Sequence, residues 1–176
     1  MGFEGDETMK EGACATRNLV AVAVCVLWSA PAAAGIVDSP LPVLSAGATT
    51  LHLYSVPGVI GISGLGTYFA CTSTDTAAMQ VGVELFFAPG GAPANDAAAT
   101  SLSVGPGATV IFGTSAAAGI SIDSSLGGGL SKGSARILAT SKKLACTAFI
   151  ADVGNAPPTS MVYLTIIKKT KQKAAN

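Results

Sequence analysis

The stretch from residue 80 to residue 91, QVGVELFFAPGG, decides the fold class, because its apolar residues alternate before a strong breaker. One face of an extended chain carries Val81, Val83, Leu85 and Phe87. The opposite face carries Gln80, Gly82 and Glu84, and we expect Glu84 to be exposed and dispensable. Pro89-Gly90-Gly91 then ends the segment. A period of two that ends in a turn predicts a β-strand with one buried face.

Similar short segments follow one another along the chain, each bounded by glycine, proline or polar residues. Predicted strands cover residues 49–56, 67–73, 80–88, 102–104, 109–113, 135–140, 144–152 and 161–167. We expect residues 135–140 and 144–152 to form a hairpin across Ser141–Lys143, and Ser124–Gly129 to be a mobile loop. About seven or eight short strands and no convincing helix predict an all-β sandwich or barrel.

The composition suits an exported β-protein better than a cytosolic helical enzyme. Hydrophobic residues make up 49% of the chain, whereas aromatic residues make up 6% and charged residues 11%. An average soluble domain has about 25% charged residues. Small and hydroxyl-bearing residues therefore cover most of the predicted surface. High hydrophobicity with little net charge also argues against intrinsic disorder.

The charges do not form a nucleic-acid-binding surface. The formal net charge is zero, and the eight bases and six acids after Gly35 leave +2 there. Half of those bases lie at the extreme C-terminus: Lys168, Lys169, Lys171 and Lys173. Nucleic-acid binders carry a basic stripe that neutralises phosphates, often with aromatic side chains. We therefore expect a solvated lysine tail and no nucleic-acid partner.

The N-terminal segment has the layout of a secretory signal peptide. Leu19–Trp28 reads LVAVAVCVLW, and Arg17 stands just before it. The small residues Ala32-Ala33-Ala34 then provide a cleavage site before Gly35, with a cut after Ala32 as the alternative. A membrane span needs about 20 apolar residues, which this run lacks. We expect a periplasmic or extracellular protein without a membrane segment after cleavage.

These features predict the organisation of the chain. The predicted segments are a helical signal peptide (1–34, with Met9 as an alternative start), an extended N-terminal segment (35–48), a β-sandwich domain (49–168) and a polar lysine-rich tail (169–176). Of the four cysteines, Cys14 and Cys25 fall in the leader, so cleavage leaves Cys71 and Cys146. An oxidising compartment favours a disulfide between these two. A zinc site would need more ligands than two cysteines and His52 supply, so we expect no metal.

The strand pattern and the cysteine spacing resemble those of immunoglobulin-like sandwiches. This resemblance implies two sheets with Cys71–Cys146 as a bridge between them. The family's core tryptophan is missing, because Trp28 lies in the leader, and Leu144 stands where its tyrosine is expected. The runs FACTSTDTAAMQVGVELF, SLSVGPGATVIF and GSARILATSKKLACTAF also resemble small secreted bacterial proteins of unassigned function. That second resemblance implies no activity.

Candidate catalytic and cofactor-binding residues are few. His52 is the only histidine and would have to act as the base of any Ser-His-Asp triad. Residues 61–66, GISGLG, miss the G-x-S-x-G motif, and residues 127–134, GGGLSKGS, miss the phosphate-loop spacing. We expect Asp75, Asp96 and Asp123 to cap turns. The sequence thus predicts no catalytic, cofactor-binding or metal-binding residues.

The leading hypothesis is an exported, non-catalytic structural or binding module of the bacterial envelope or extracellular space. Its partner would be another envelope protein, or a second copy joined through edge strands. An alternative is a fibre or pilus-like subunit assembled by strand addition, which requires residues 35–48 to be disordered in the monomer. A secreted hydrolase is the third hypothesis.

Overall fold

The computed structural model describes residues 35–36, 39–88, 91–127 and 129–169. Throughout these ranges the chain forms ten β-strands in two five-stranded sheets and no helix, which confirms the predicted all-β class. Apolar side chains are buried between the sheets, so the fold is a β-sandwich. The predicted signal peptide, and the part of the predicted tail after Lys169, lie outside the described residues.

The chain passes repeatedly from one sheet to the other. In chain order they are β1 (Leu51–Val59), β2 (Leu65–Ser73), β3 (Met79–Phe87), β4 (Leu102–Val104), β5 (Thr109–Gly113), β6 (Ser124–Ser125), β7 (Gly133–Ala139), β8 (Leu144–Asp152), β9 (Met161–Tyr163) and β10 (Ile167–Lys168). The first sheet has the spatial order β10-β1-β7-β3-β4, and the second has the order β6-β5-β2-β8-β9. Neighbouring strands are antiparallel, except that β5 and β6 are parallel.

Strand β3 supplies the middle of the core, as its alternation predicts. Val81, Val83 and Leu85 are buried among residues of both sheets. Phe87, predicted on the same face, is 44% exposed, and Phe86 is buried instead. Phe87 is the last residue of the strand, and its carbonyl accepts a hydrogen bond from Gly91 N–H as the chain turns away.

The predicted hairpin of residues 135–140 and 144–152 is wrong, because β7 and β8 lie in different sheets. Strand β7 pairs with β1 and β3, whereas β8 pairs with β2 and β9. Ser141–Lys143 carries the chain from one sheet to the other. The Ser141 hydroxyl donates to Asp75 Oδ2 at 2.6 Å, which holds this connection. A short polar loop between alternating segments suits both arrangements, so the pattern could not separate them.

The predicted final strand, residues 161–167, is two strands in two sheets. Strand β9 joins the second sheet and β10 joins the first. Between them, Leu164 and Ile166 pack against the core. Each of these strands lies at the edge of its sheet. The segment that joins them passes from one sheet to the other.

The region from Ser124 to Gly129 is more ordered than predicted. Ser124–Ser125 forms β6 beside β5, and Leu126 is buried in the core. Leu130, just beyond this region, is also buried. A leucine at each end thus ties the segment to the sandwich; Gly128 lies outside the described residues.

Cys71 and Cys146 form the predicted disulfide. They face each other on the neighbouring strands β2 and β8, with their Cα atoms 4.1 Å apart. Facing residues come this close in the non-hydrogen-bonded pairs of an antiparallel ladder. The inter-sheet bridge that the immunoglobulin resemblance implied is therefore wrong, because both cysteines belong to the second sheet.

Candidate interaction surface

The two sheets have four edge strands, and three of these edges are protected. Strand β4 buries Val104 and runs into the turn at residues 105–107. Strand β6 consists of two serines, and β10 carries Lys168 and is followed by Lys169. Buried side chains, lysines and strands too short to present two outward-facing residues keep an edge from pairing with another chain.

Strand β9 is the unprotected edge. Met161, Val162 and Tyr163 are 48%, 62% and 71% exposed, and the strand carries neither a charge nor a proline. Exposed apolar side chains on an edge strand favour pairing with a further strand. Sequence reasoning missed this surface, because it assigned these residues to one longer strand, residues 161–167.

The backbone of β9 has hydrogen-bonding groups that point away from the sandwich. Leu164 N–H donates to the Ala148 carbonyl at 2.9 Å, and Asp152 N–H donates to the Ser160 carbonyl at 3.3 Å. Every second residue of this segment therefore bonds to β8. In an antiparallel strand the residues in between point their N–H and C=O groups to the other side. Those of Met161 and Tyr163 consequently face outward.

A row of three aromatic rings supports β9 on the outer face of the second sheet. The ring centroid of Tyr163 lies 6.2 Å from that of Phe149 in an edge-on contact, and Phe149 stacks on Tyr68 at 5.4 Å. Tyr68 is buried above Gly113, where an added Cβ would lie 3.1 Å from the ring. Offset and edge-on pairs of this kind are the favoured aromatic geometries. The row thus orients the exposed Tyr163 side chain from a fixed base.

The turn that leads into β9 is held by Asp152. Its Oδ1 accepts from Ser160 N–H at 2.8 Å, and its Oδ2 accepts from Asn155 Nδ2 at 2.6 Å. Both hydrogen bonds lower the pKa of Asp152, and the bond from Ser160 has the larger effect. Because Ser160 immediately precedes Met161, this carboxylate fixes the point where the edge strand begins.

The outer face of the first sheet contains a buried ion pair. Arg136 Nε donates to Glu84 Oε2 at 2.5 Å, and the guanidinium lies 5.1 Å from the centre of the Phe86 ring. Arg136 is 1% exposed and Glu84 is 6% exposed. The prediction that Glu84 is exposed is therefore wrong. Glu84 faces Arg136 across β3 and β7, and the chain folds a further segment over both.

We call this segment, residues 39–48, the N-terminal strap. Arg136 Nη1 and Nη2 donate to the carbonyls of Ser39 and Pro40 at 3.0 and 2.7 Å. Leu44 is buried against Ala97 and Leu138. The fibre-subunit hypothesis needs residues 35–48 to be disordered in the monomer, but the strap is packed onto the first sheet; residues 37 and 38 lie outside the described residues.

His52 lies on the same outer face, in a geometry that does not suit a general base. Lys169 Nζ lies 3.3 Å from Nδ1, and Ser55 Oγ lies 3.0 Å from Nε2. An ammonium can only donate, so Nδ1 accepts and the proton of the neutral ring sits on Nε2. Nε2 therefore donates to Ser55, whereas activation of that hydroxyl would need a free lone pair there. The pKa of His52 is lowered to about 4. Burial of the ring is the largest cause, followed by the positive charges of Lys169 and Arg136.

The low pKa of His52 predicts a loss of stability on mild acidification. The ordinary pKa is 6.5, so between these values the unfolded chain binds more protons and the free energy of unfolding falls as pH falls. We expect a loss of about 1–2 kcal/mol between about pH 6.5 and 4, after allowing for solvent screening. Urea unfolding of the wild type and of His52→Gln across this window measures it. Parallel curves for the two proteins would contradict the assignment.

The remaining sequence candidates are structural. Asp75 Oδ1 and Asp96 Oδ1 accept hydrogen bonds from nearby backbone N–H groups, as predicted for turn residues. Asp123 does not cap its own turn, because its Oδ2 accepts from the N–H of Ile111 on β5, twelve positions away. Hydrogen bonds lower the pKa of Asp75 to about 2. The bond from the Ser141 hydroxyl has the largest effect, followed by the bond from Thr76 N–H. Residues 61–64 form the turn from β1 to β2, and residues 65 and 66 begin β2. Residues 129–132 lead into β7 rather than into a helix.

In the described part of the chain, fold and surface together define a disulfide-linked β-sandwich with one unprotected sheet edge. Comparison with protein-family models, curated proteins and solved structures finds no match. Within the described ranges, no group of three or more His, Cys, Asp or Glu side chains could hold a metal ion. No helix in the described part of the chain is long and apolar enough to cross a membrane.

Proposed function

We propose that this chain is an exported, non-catalytic module that binds another polypeptide as an added strand on β9. The observation that carries the proposal is the exposed, uncharged β9 edge, because the other three sheet edges among the described residues are protected. Strand addition gains affinity from main-chain hydrogen bonds and specificity from alternate side chains. Outward N–H and C=O groups at Met161 and Tyr163, with an exposed side chain between them, provide both elements.

Two further observations support the export and non-catalytic parts of the proposal. A disulfide such as Cys71–Cys146 persists in oxidising compartments, which include the periplasm and the extracellular space. The hydrogen bonds around His52 place its proton towards Ser55, which argues against the hydrolase hypothesis. The tethered strap gives the pilus-type alternative no support from residues 39–48.

The proposal predicts a contact that depends on one backbone N–H group. A photo-crosslinking side chain at position 161, in cells that produce the protein, is expected to give a discrete adduct on gels. Tyr163→Pro removes the outward N–H and is tolerated at a free edge, so it should abolish the adduct. Tyr163→Ala keeps the N–H and should retain part of it.

The control probe replaces Thr109, which is exposed on β5 and separated from β9 by two strands. It should give no adduct that responds to Tyr163→Pro. Absence of any adduct from position 161, or an adduct that Tyr163→Pro leaves unchanged, would contradict the proposed function.

A further inference from the structure

We infer that the strand added to β9 is β9 of a second copy of this chain, paired antiparallel about a two-fold axis at Val162. This inference rests on the proposed function and names its partner. A two-fold interface must be complementary to itself. The edge residues Met161–Tyr163 are all uncharged, so a second copy brings apolar side chains opposite apolar side chains and places no like charges across the interface.

The backbone sets the register of the pair. Outward groups belong to Met161 and Tyr163, as shown by the hydrogen bonds of their neighbours to β8. In a pairing centred on Val162, Met161 of each copy faces Tyr163 of the other and exchanges both backbone hydrogen bonds with it. A pairing centred on Met161 or Tyr163 would place an outward residue of β9 opposite a position beyond the strand. The Val162 register therefore uses the edge most fully.

The side chains fit this register. Tyr163 extends from the aromatic row on the outer face of the second sheet, and Met161 shares that face. Pairing brings Met161 of one copy beside Tyr163 of the other, and thioether–aromatic contacts are favourable. Val162 points to the opposite face, where it meets Val162 of the second copy. Pairing would therefore bury part of the Met161, Val162 and Tyr163 side chains in both copies.

The strength of association is tested with purified exported protein by sedimentation velocity. The proposed interface pairs two three-residue strands and is therefore small. A small interface predicts a weak dimer that forms between about 10 µM and about 1 mM. Tyr163→Pro removes one donor from each copy, and we expect the dimer dissociation constant to rise at least about tenfold. Met161→Pro should do the same and serves if the first variant does not fold. Val43→Lys changes an apolar side chain that is 69% exposed on the strap and should leave the dimer unchanged.

The register is tested with single cysteines under mild oxidation, in a chain with Cys14→Ser and Cys25→Ser. The two Val162 Cα atoms of a non-hydrogen-bonded pair would lie about 4.5 Å apart, within disulfide range. Cys71 and Cys146 form such a bond across the same sheet. Val162→Cys should therefore yield a crosslinked dimer. Tyr163→Cys should not, because its counterpart lies diagonally at about 7–8 Å.

The outcomes separate this inference from the proposed function. A monomer at every concentration, or a dimer that Tyr163→Pro and Met161→Pro leave intact, overturns the second copy as partner. Failure of Val162→Cys to crosslink, or equal crosslinking of Tyr163→Cys, overturns the register. If the adduct from position 161 in cells has the mass of a different protein, the proposed function stands and this inference falls.

Discussion

Glu84→Ala is expected to lower the free energy of unfolding by about 3–5 kcal/mol. The carboxylate is 6% exposed and accepts from Arg136, which is itself 1% exposed. The variant leaves the guanidinium buried without its counter-ion, and an unpaired buried charge is costly. Urea unfolding followed by circular dichroism measures the change. A loss below about 1 kcal/mol would show that the strap carbonyls and the Phe86 ring suffice for Arg136.

A matched control and a double variant separate charge from packing. Gln80→Ala changes a half-buried residue on the same face of β3 and should cost less than about 0.5 kcal/mol. Glu84→Leu combined with Arg136→Met removes both charges and should be more stable than Glu84→Ala, because apolar replacements of similar volume often match a buried ion pair. In the double variant the carbonyls of Ser39 and Pro40 lose the hydrogen bonds from the Arg136 guanidinium. Amide hydrogen exchange of the strap should therefore become faster.

Most of the strands could be predicted from the sequence, because the signals that define a strand are local. Alternation and turn residues predicted β1, β2, β3, β4, β5, β7 and β8 to within a few residues of their ends. The capping aspartates were predicted for the same reason, since Asp96 bonds to N–H groups two and three residues ahead. The cysteine pair followed from the predicted removal of Cys14 and Cys25 with the leader, which leaves two cysteines in an oxidising compartment.

The arrangement of those strands could not be predicted, because it depends on contacts between distant residues. Glu84 and Arg136 are separated by 52 positions, and a lone glutamate in an alternating strand is normally a surface residue. A signal did exist: these are the single glutamate and the single arginine after Gly35. The period of two on β3 and β7 places each on the face opposite the core.

The β9 edge illustrates the same limit. Residues 161–167, MVYLTII, are almost continuously apolar, and such a run indicates burial. Its lack of alternation was the signal that the chain changes its surroundings within the run. Leu164 and Ile166 pack against the core, whereas Met161–Tyr163 stays exposed. Which part is exposed follows from the order of strands in the sheets, which local sequence does not encode.

Reduction of the Cys71–Cys146 disulfide is expected to lower the free energy of unfolding by about 4 kcal/mol, within the usual range of about 2–5. The bond joins positions 75 residues apart, and opening so long a loop raises the entropy of the unfolded chain. Urea unfolding with and without dithiothreitol measures this with nearly every atom kept in place. Cys71→Ala with Cys146→Ala should cost at least as much, because it also removes buried sulfur.

Thr147→Ala provides the control for the cysteine variants, since Thr147 is exposed beside Cys146 and should change stability by less than about 0.5 kcal/mol. An unfolding midpoint that does not move on reduction would contradict the prediction. Because β8 bonds to β2 on one side and to β9 on the other, loosening the β2–β8 pair should also free the edge strand. We therefore expect the reduced protein to show faster amide exchange in β9 and weaker crosslinking from position 161.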